Sequence, residues 1–312
     1  MGNERQRIIR WLMGFVLSLF RLALIVGISY VILGPIIGIA FNSFFSNEDA
    51  YSPAIYLIPQ SPTLERYSLM LTVTQYWKVL RNMLFYISSL SLIQIVVCSM
   101  VGYGFARFQF PLKKILFACV ILVIVLPAHS VILPLYVTFR NFDPLGILSL
   151  ITGGNPPNML TTLFPMYMLT IFGVGLRSGL YIYIFNQFFR GLPKEIEEAA
   201  FVDGAGTFYT YLRVMVPNAM PPIITVLIFS LVWQYNDVFY ANVFQISGDW
   251  ALSKKLNTLG NTLSGSYRII DPNISSLYVY AGIIMMILPM IIIYIFLQRR
   301  FIEGVERSGI VG

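Results

Sequence analysis

Six stretches of this sequence stay apolar for longer than a buried segment of a water-soluble domain requires. They cover roughly residues 11–41, 80–105, 115–139, 160–189, 217–244 and 277–297. A helix needs about 20 mostly apolar residues to cross the hydrocarbon core of a bilayer, so each stretch reads as a spanning helix. The chain is 57% hydrophobic and 11% charged, where a soluble domain is about 25% charged. Water cannot bury that surface, and lipid can. The first run is too long for the core of a cleaved signal peptide, and no small-x-small cleavage site follows it, so it counts as a span. The expectation is an all-α integral membrane protein forming one transmembrane domain over residues 1–312, with a first span at 11–41, an outer segment at 42–78, core spans within 80–297 and a tail at 298–312.

Orientation follows from the basic residues, which are enriched in cytoplasmic segments. With the N-terminus inside, the inner segments carry thirteen: Arg5, Arg7, Arg10, Arg21, Arg107, Lys113, Lys114, Arg190, Lys194, Arg213, Arg299, Arg300 and Arg307. The outer segments carry seven: Arg66, Lys78, Arg81, Arg140, Lys254, Lys255 and Arg268. An even number of spans then puts both termini in the cytoplasm. The net charge of +7 is spread over span ends rather than clustered, which argues for membrane orientation and against a nucleic-acid partner.

Several chemistries lack their raw material. Cys98 and Cys119 both lie in apolar runs, so no disulfide framework is implied. His129 is the only histidine; without a partner group it suits a helix end better than a metal or acid–base site. No Gly-x4-Gly-Lys-Ser/Thr loop is present to cradle nucleotide phosphates.

The most informative polar stretch is residues 191–222, GLPKEIEEAAFVDGAGTFYTYLRVMVPNAMPP. Pro193 suits a first helical turn, and Glu195, Glu197 and Glu198 follow where the helix dipole favours acid. Gly204 can take positive φ and end that helix. A second helix begins near Thr207, with Phe208, Tyr211, Leu212 and Met215 at helical spacing, and Pro217 opens the next span. Glu198-Ala199-Ala200 is followed by three residues and Gly204, then by nine residues and Val214-x-Val216-Pro217, with Asp203 before the glycine.

That spacing resembles the EAA loop of ABC importer permeases. The run Tyr103 to Pro111 (YGFARFQFP), the segment from Leu126-Pro127 to Ile132-Leu133-Pro134-Leu135-Tyr136, and Phe185 to Pro193 are similar to segments of the carbohydrate, maltose-system-like branch. The resemblance implies a type I ABC importer permease core of six spans in a prokaryotic cytoplasmic (inner) membrane. It implies pairing with a second similar permease, two ATPase subunits underneath, and an extracytoplasmic sugar-binding protein. The cytoplasmic EAA loop, residues 190–217, would dock the ATPase through Glu195, Glu198, Ala199, Ala200, Asp203, Gly204 and Pro217. This chain would hold no cofactor, ATP and Mg being bound by the partner ATPase, and would not itself be an enzyme.

Polar groups inside spans are costly and tend to be functional. Trp233, Tyr235, Asn236 and Asp237 sit late in the fifth span: two rings that could stack on a pyranose beside two groups that could bond its hydroxyls. They could line a sugar path, or form a helix-end cluster at the outer interface where Trp and Tyr concentrate. Arg177 lies among Gly173, Gly175 and Gly179, so an interrupted helix is expected there, with Arg177 either functional or reaching to the outer interface. A permease for a non-sugar solute is the alternative within the class. An ion-coupled transporter would need midplane carboxylates, and the spans offer little beyond Asp237. A membrane-embedded enzyme would need a titratable cluster, and none is evident.

Overall fold

The computed structural model describes residues 2–309. Among them there are helices and no strands. The chain divides into two compact units, residues 1–73 with 259–285, and residues 74–258 with 286–312.

In the first unit, α1 (Gly2–Asn42) is one unbroken helix of 41 residues, and its described side chains are almost all exposed. The outer segment is not a bare loop. Ser46 and Asp49 form a capping box at the helix Asn47–Tyr51, and the Asp49 carboxylate also accepts from the Ser61 N–H. Arg66, on the helix Glu65–Val73, is buried. Its guanidinium donates to Phe45 O and to Asn47 Oδ1 and stacks over the Tyr278 ring, 5.5 Å from the centroid. A charge removed from water is kept only when so partnered.

The second unit is built around α2 (Tyr76–Arg107). α3 (Lys113–Val125) ends before Leu126-Pro127, and a 3-10 turn at Ala128–Val131, which contains His129, leads to the helix Ile132–Arg140. The third expected span is thus two pieces, because Pro127 supplies no N–H to continue the first. The fourth is also divided, into α4 (Phe164–Ile171) and α5 (Ser178–Gly191), at the glycine-bearing stretch where interruption was expected. α6 (Glu195–Val202) begins the polar loop, and α7 (Met220–Tyr235) follows it. Pro217 does not open α7. It belongs to the preceding stretch Thr207–Asn218, which meets α7 at a 77° bend, and Pro221 and Pro222 occupy the first turn of α7. The straight helix α7 therefore starts later and ends earlier than the apolar run at 217–244. Downstream, the Asp249 carboxylate meets Lys78 at 2.6 Å and Lys255 at 3.2 Å. The hydrogen bond from Lys78, then that from Lys255, holds it below the usual carboxylate range.

The last helix, α8 (Pro272–Gly309), continues through most of the expected tail. Among the described residues, three helices are long and apolar enough to span a membrane: Arg10–Asn42, Tyr76–Arg107 and Pro272–Phe296. The bent pair Thr207–Asn218 and Met220–Tyr235 adds a fourth if counted as one span.

The core of the second unit lies where α2 crosses α5. Cys98, Tyr103, Tyr181, Ile182, Phe185, Phe189, Tyr211 and Met215 are buried together there. Gly102 sits at the crossing, where a Cβ would stand 2.6 Å from Phe185 Cβ and 3.0 Å from Asn186 N. Small residues permit such close approach, which is how helices gain dispersion energy in lipid.

Candidate coupling and transport site

The polar loop folds as two helical pieces joined by a glycine. α6 ends in a paired backbone cap: Gly204 N–H donates to Phe201 O and Ala205 N–H to Ala200 O, each at 3.0 Å. Gly204 takes φ +81°, the left-handed geometry this cap requires. The second piece starts at Thr207, passes through a π turn at Tyr211–Met215, and reaches the bend.

One side of the loop is clamped to the end of α2. Glu197 is buried; Tyr103 OH donates to its Oε1 at 2.6 Å, and Arg107 Nε lies 2.8 Å from its Oε2. The Arg107 contact is an ion pair rather than an aligned hydrogen bond. Arg107 Nη2 also donates to Leu192 O at 2.9 Å. Tyr211 OH and Ser99 Oγ are 2.7 Å apart, closing the clamp from the second piece. The other side is open. Glu195, Glu198, Ala199, Asp203, Gly204 and Pro217 are exposed and Ala200 is half-buried. Beside them Val202 is 88% exposed, and Phe208 and Tyr209 are also exposed.

Sequence reading assigned Glu195 and Glu198 a docking role and Glu197 only a place in the first turn of the helix. The structure separates them: Glu197 is the inward anchor, while Glu195 and Glu198 face out. The usable signal was Arg107, a cation at the end of α2 in need of a partner.

Further up the unit a polar layer crosses the apolar core. Gln94 Nε2 donates to Leu176 O at 2.7 Å and Ser178 Oγ at 2.9 Å, covering the unwound backbone between α4 and α5. Ser230 Oγ donates to Gln94 Oε1 at 2.7 Å, and Gln234 Nε2 donates to Ser230 Oγ at 2.6 Å. Gln94 lies about 20 Å along α2 from Arg107, and Gln234 about 21 Å along α7 from Met220, at 1.5 Å per residue. Gln234 Nε2 also donates to Gln94 Oε1 at 3.2 Å, which sets the two side by side. No composition count revealed this layer, since Ser and Gln are unremarkable in isolation and matter only once three helices bring them together.

The four expected path residues do not share one face. Trp233 is exposed, with the Arg177 guanidinium 4.2 Å from its ring centroid, a cation–π contact. Tyr235 is in the core, and its hydroxyl donates to Met286 O at 2.7 Å. Asn236 is exposed, and its Nδ2 folds back to Val232 O. Asp237 is half-buried; its Oδ1 accepts from Tyr240 N–H at 3.1 Å, and its carbonyl accepts from Ser253 Oγ. Asp237 thus accepts from an N–H in the first turn of the short helix Phe239–Val243.

Residues 94–306 match the family model described as binding-protein-dependent transport system inner membrane component. The chain belongs to this family. It is therefore a permease subunit of an ABC transporter, a membrane transport component and not an enzyme. The matched region includes the polar layer, the break between α4 and α5, the clamped loop and most of α8. The permease is 28% identical over 282 residues to a probable ABC transporter permease protein of Pyrococcus horikoshii, covering 89% of this chain and 92% of that one. It is 26% identical to the diacetylchitobiose uptake system permease protein NgcG of Streptomyces coelicolor, covering 92% and 86%. Its fold is similar to a chain of a bacterial ABC transporter involved in the import of the acidic polysaccharide alginate, with a TM-score of 0.70 at 20% identity over 92% of this chain and 96% of that one. Permeases of this family work with a partner permease, an ATPase and a substrate-binding protein.

Proposed function

We propose that this permease forms half of the path of an ATP-driven carbohydrate importer, taking an oligosaccharide or glycoside, and docks an ATPase through residues 190–217. The names of its relatives support the sugar class, as do the sequence segments shared with carbohydrate permeases. The observation that carries the docking reading is the loop itself, clamped on one side and presenting exposed small and apolar residues on the other. In this reading six spans cross a cytoplasmic (inner) membrane with both termini inside. A second permease completes the path, two ATPase subunits bind ATP and Mg, and an extracytoplasmic binding protein delivers the sugar.

The clamp suggests how the stroke is passed on. Closure of the ATPases would displace α6, and Glu197, held by Tyr103 and Arg107, would carry that displacement into α2. The same helix reaches the polar layer at Gln94. The link from nucleotide to path would then be one rigid helix rather than a chain of loops.

Gly204 tests the dock. Around its Cβ position there is open space, so the burden of Gly204→Asp is the left-handed φ, roughly 1 kcal/mol for a non-glycine residue. The cap should loosen while the span packing stays intact. Detergent-solubilised wild type is expected to bring down an ATPase and a second permease; the variant should keep the permease and lose most of the ATPase. Equal ATPase recovery would count against the loop as the dock.

For the path, Trp233, Asn236 and Asp237 are the proposed lining, with Tyr235 holding them from behind. Asp237→Ala is expected to lower uptake at least several-fold while expression and assembly persist. Unchanged uptake would remove Asp237 from the path and leave it as an acceptor for the helix Phe239–Val243.

A further inference from the structure

A concave feature of the second unit lies beside the clamp and takes no part in it. It is a cavity of about 730 Å³ where the end of α2 and the start of α3 meet the end of α5. Phe105, Phe110 and Phe117 give it an aromatic floor, and Lys113, Lys114 and Arg190 supply its charge. None of its lining residues is acidic. Among the described residues these three cations form no ion pair, and only Lys113 is partly occupied, by a hydrogen bond to Phe108 O at 2.7 Å. α3 starts here without a side-chain cap, so its dipole adds to the positive potential.

Two features set the occupant's chemistry. Three cations in one lining, without acid, select an anion. The aromatic floor is a poor environment for a bare hydrated anion and a good one for hydrocarbon. The volume lies within the range of ordinary small-molecule sites, about 300–1,000 Å³, and exceeds what inorganic phosphate alone would fill. The basic residues stand where apolar spans end, the level at which phospholipid headgroups sit.

We infer that this cavity binds an anionic phospholipid of the inner leaflet, with the phosphate held by Lys113, Lys114 and Arg190 and the proximal acyl chain lying on Phe105, Phe110 and Phe117. The inference rests on the membrane orientation proposed above. A lipid there would wedge between α2 and α5 next to Arg107, so leaflet composition would bear on the clamp.

The test uses the detergent-purified importer, stripped of lipid and titrated with phosphatidylglycerol or phosphatidylcholine, with retention read by native mass spectrometry on the mass of this chain. Wild type is expected to retain phosphatidylglycerol about ten-fold over phosphatidylcholine. A triple variant (Lys113→Gln, Lys114→Gln, Arg190→Gln) should lose that preference. Ala106→Phe, which fills the cavity and leaves the charges in place, should cut retention of both lipids. Equal retention of the two lipids by wild type, unchanged retention by the triple variant, or displacement of phosphatidylglycerol by millimolar inorganic phosphate would overturn the lipid site. Because retention is scored on this chain, absence of an ATPase from the preparation would count against the proposed function and leave the lipid result readable.

Discussion

Arg107→Ala is expected to produce a permease that inserts in the membrane but loses ATP-driven uptake by ten-fold or more. The side chains of Arg107 and Glu197 are 7% and 8% exposed, so removing the cation strands a carboxylate away from water. Breaking a buried pair from one side costs about 3–5 kcal/mol. The strain falls on the loop and not on the helix crossing, because Arg107 also donates to Leu192 O at the loop's entry. A double variant, Arg107→Met with Glu197→Leu, separates charge from clamp. Replacing both partners by apolar groups is often close to neutral for stability, so its melting temperature should recover towards wild type. Uptake should recover only partly, since Tyr103 OH would lack its acceptor. Uptake in vesicles and melting in detergent check both arms; a single variant as stable and active as wild type would rule out the clamp as a coupling element.

Gly102→Leu is expected to have the largest structural effect of any single change in the second unit. Even the first carbon has no room: a Cβ meets Phe185 Cβ at 2.6 Å, Asn186 N at 3.0 Å and Ile182 O at 3.1 Å. Two of those atoms are backbone and cannot rotate aside, so α2 and α5 must separate. Overpacking costs about 1–3 kcal/mol and sometimes more, and here it acts through the main helix pair. Gly104 provides the control two residues away, because its Cβ position meets only Phe108 Cδ2, at 4.0 Å. Gly104→Ala should be neutral or stabilising, since alanine is the better helix former by up to about 1 kcal/mol. Yield of folded monomer by size-exclusion chromatography and melting temperature should therefore order as Gly104→Ala, then wild type, then Gly102→Ala, with Gly102→Leu last. A Gly102→Leu protein melting like wild type would contradict the crossing.

The contrast between these glycines shows what the sequence could and could not disclose. Hydropathy located the apolar stretches, because lipid acts on each residue independently and leaves a one-dimensional record. The spacing from Glu198 to Pro217 disclosed the loop, and the positive φ at Gly204 followed from its place after a helix. Gly102 and Gly104 look alike in sequence, and only the approach of α5 distinguishes them. Glu197 and Glu198 are adjacent acids in the same turn, and only Arg107 and Tyr103, some 90 residues earlier in the chain, decide which one turns inward. Hydropathy was likewise blind at Pro127 and Pro217. The apolar run continues through the first and begins at the second, while the helix breaks at one and bends beyond the other, because backbone hydrogen bonding and lipid solubility are separate requirements.

The bend before α7 also sets the direction of any movement the loop transmits. At 77°, the stretch Thr207–Asn218 lies nearly across the axis of α7. A thrust along the first helix has little component along the second, so under the proposed coupling α7 would not be driven along its own axis like a piston. It can be tipped, swinging its far end, where Trp233 and Asn236 lie, sideways about its Pro221-Pro222 foot. On the proposed transport reading, such a motion would open and close a passage while leaving each side chain at nearly the same height in the membrane.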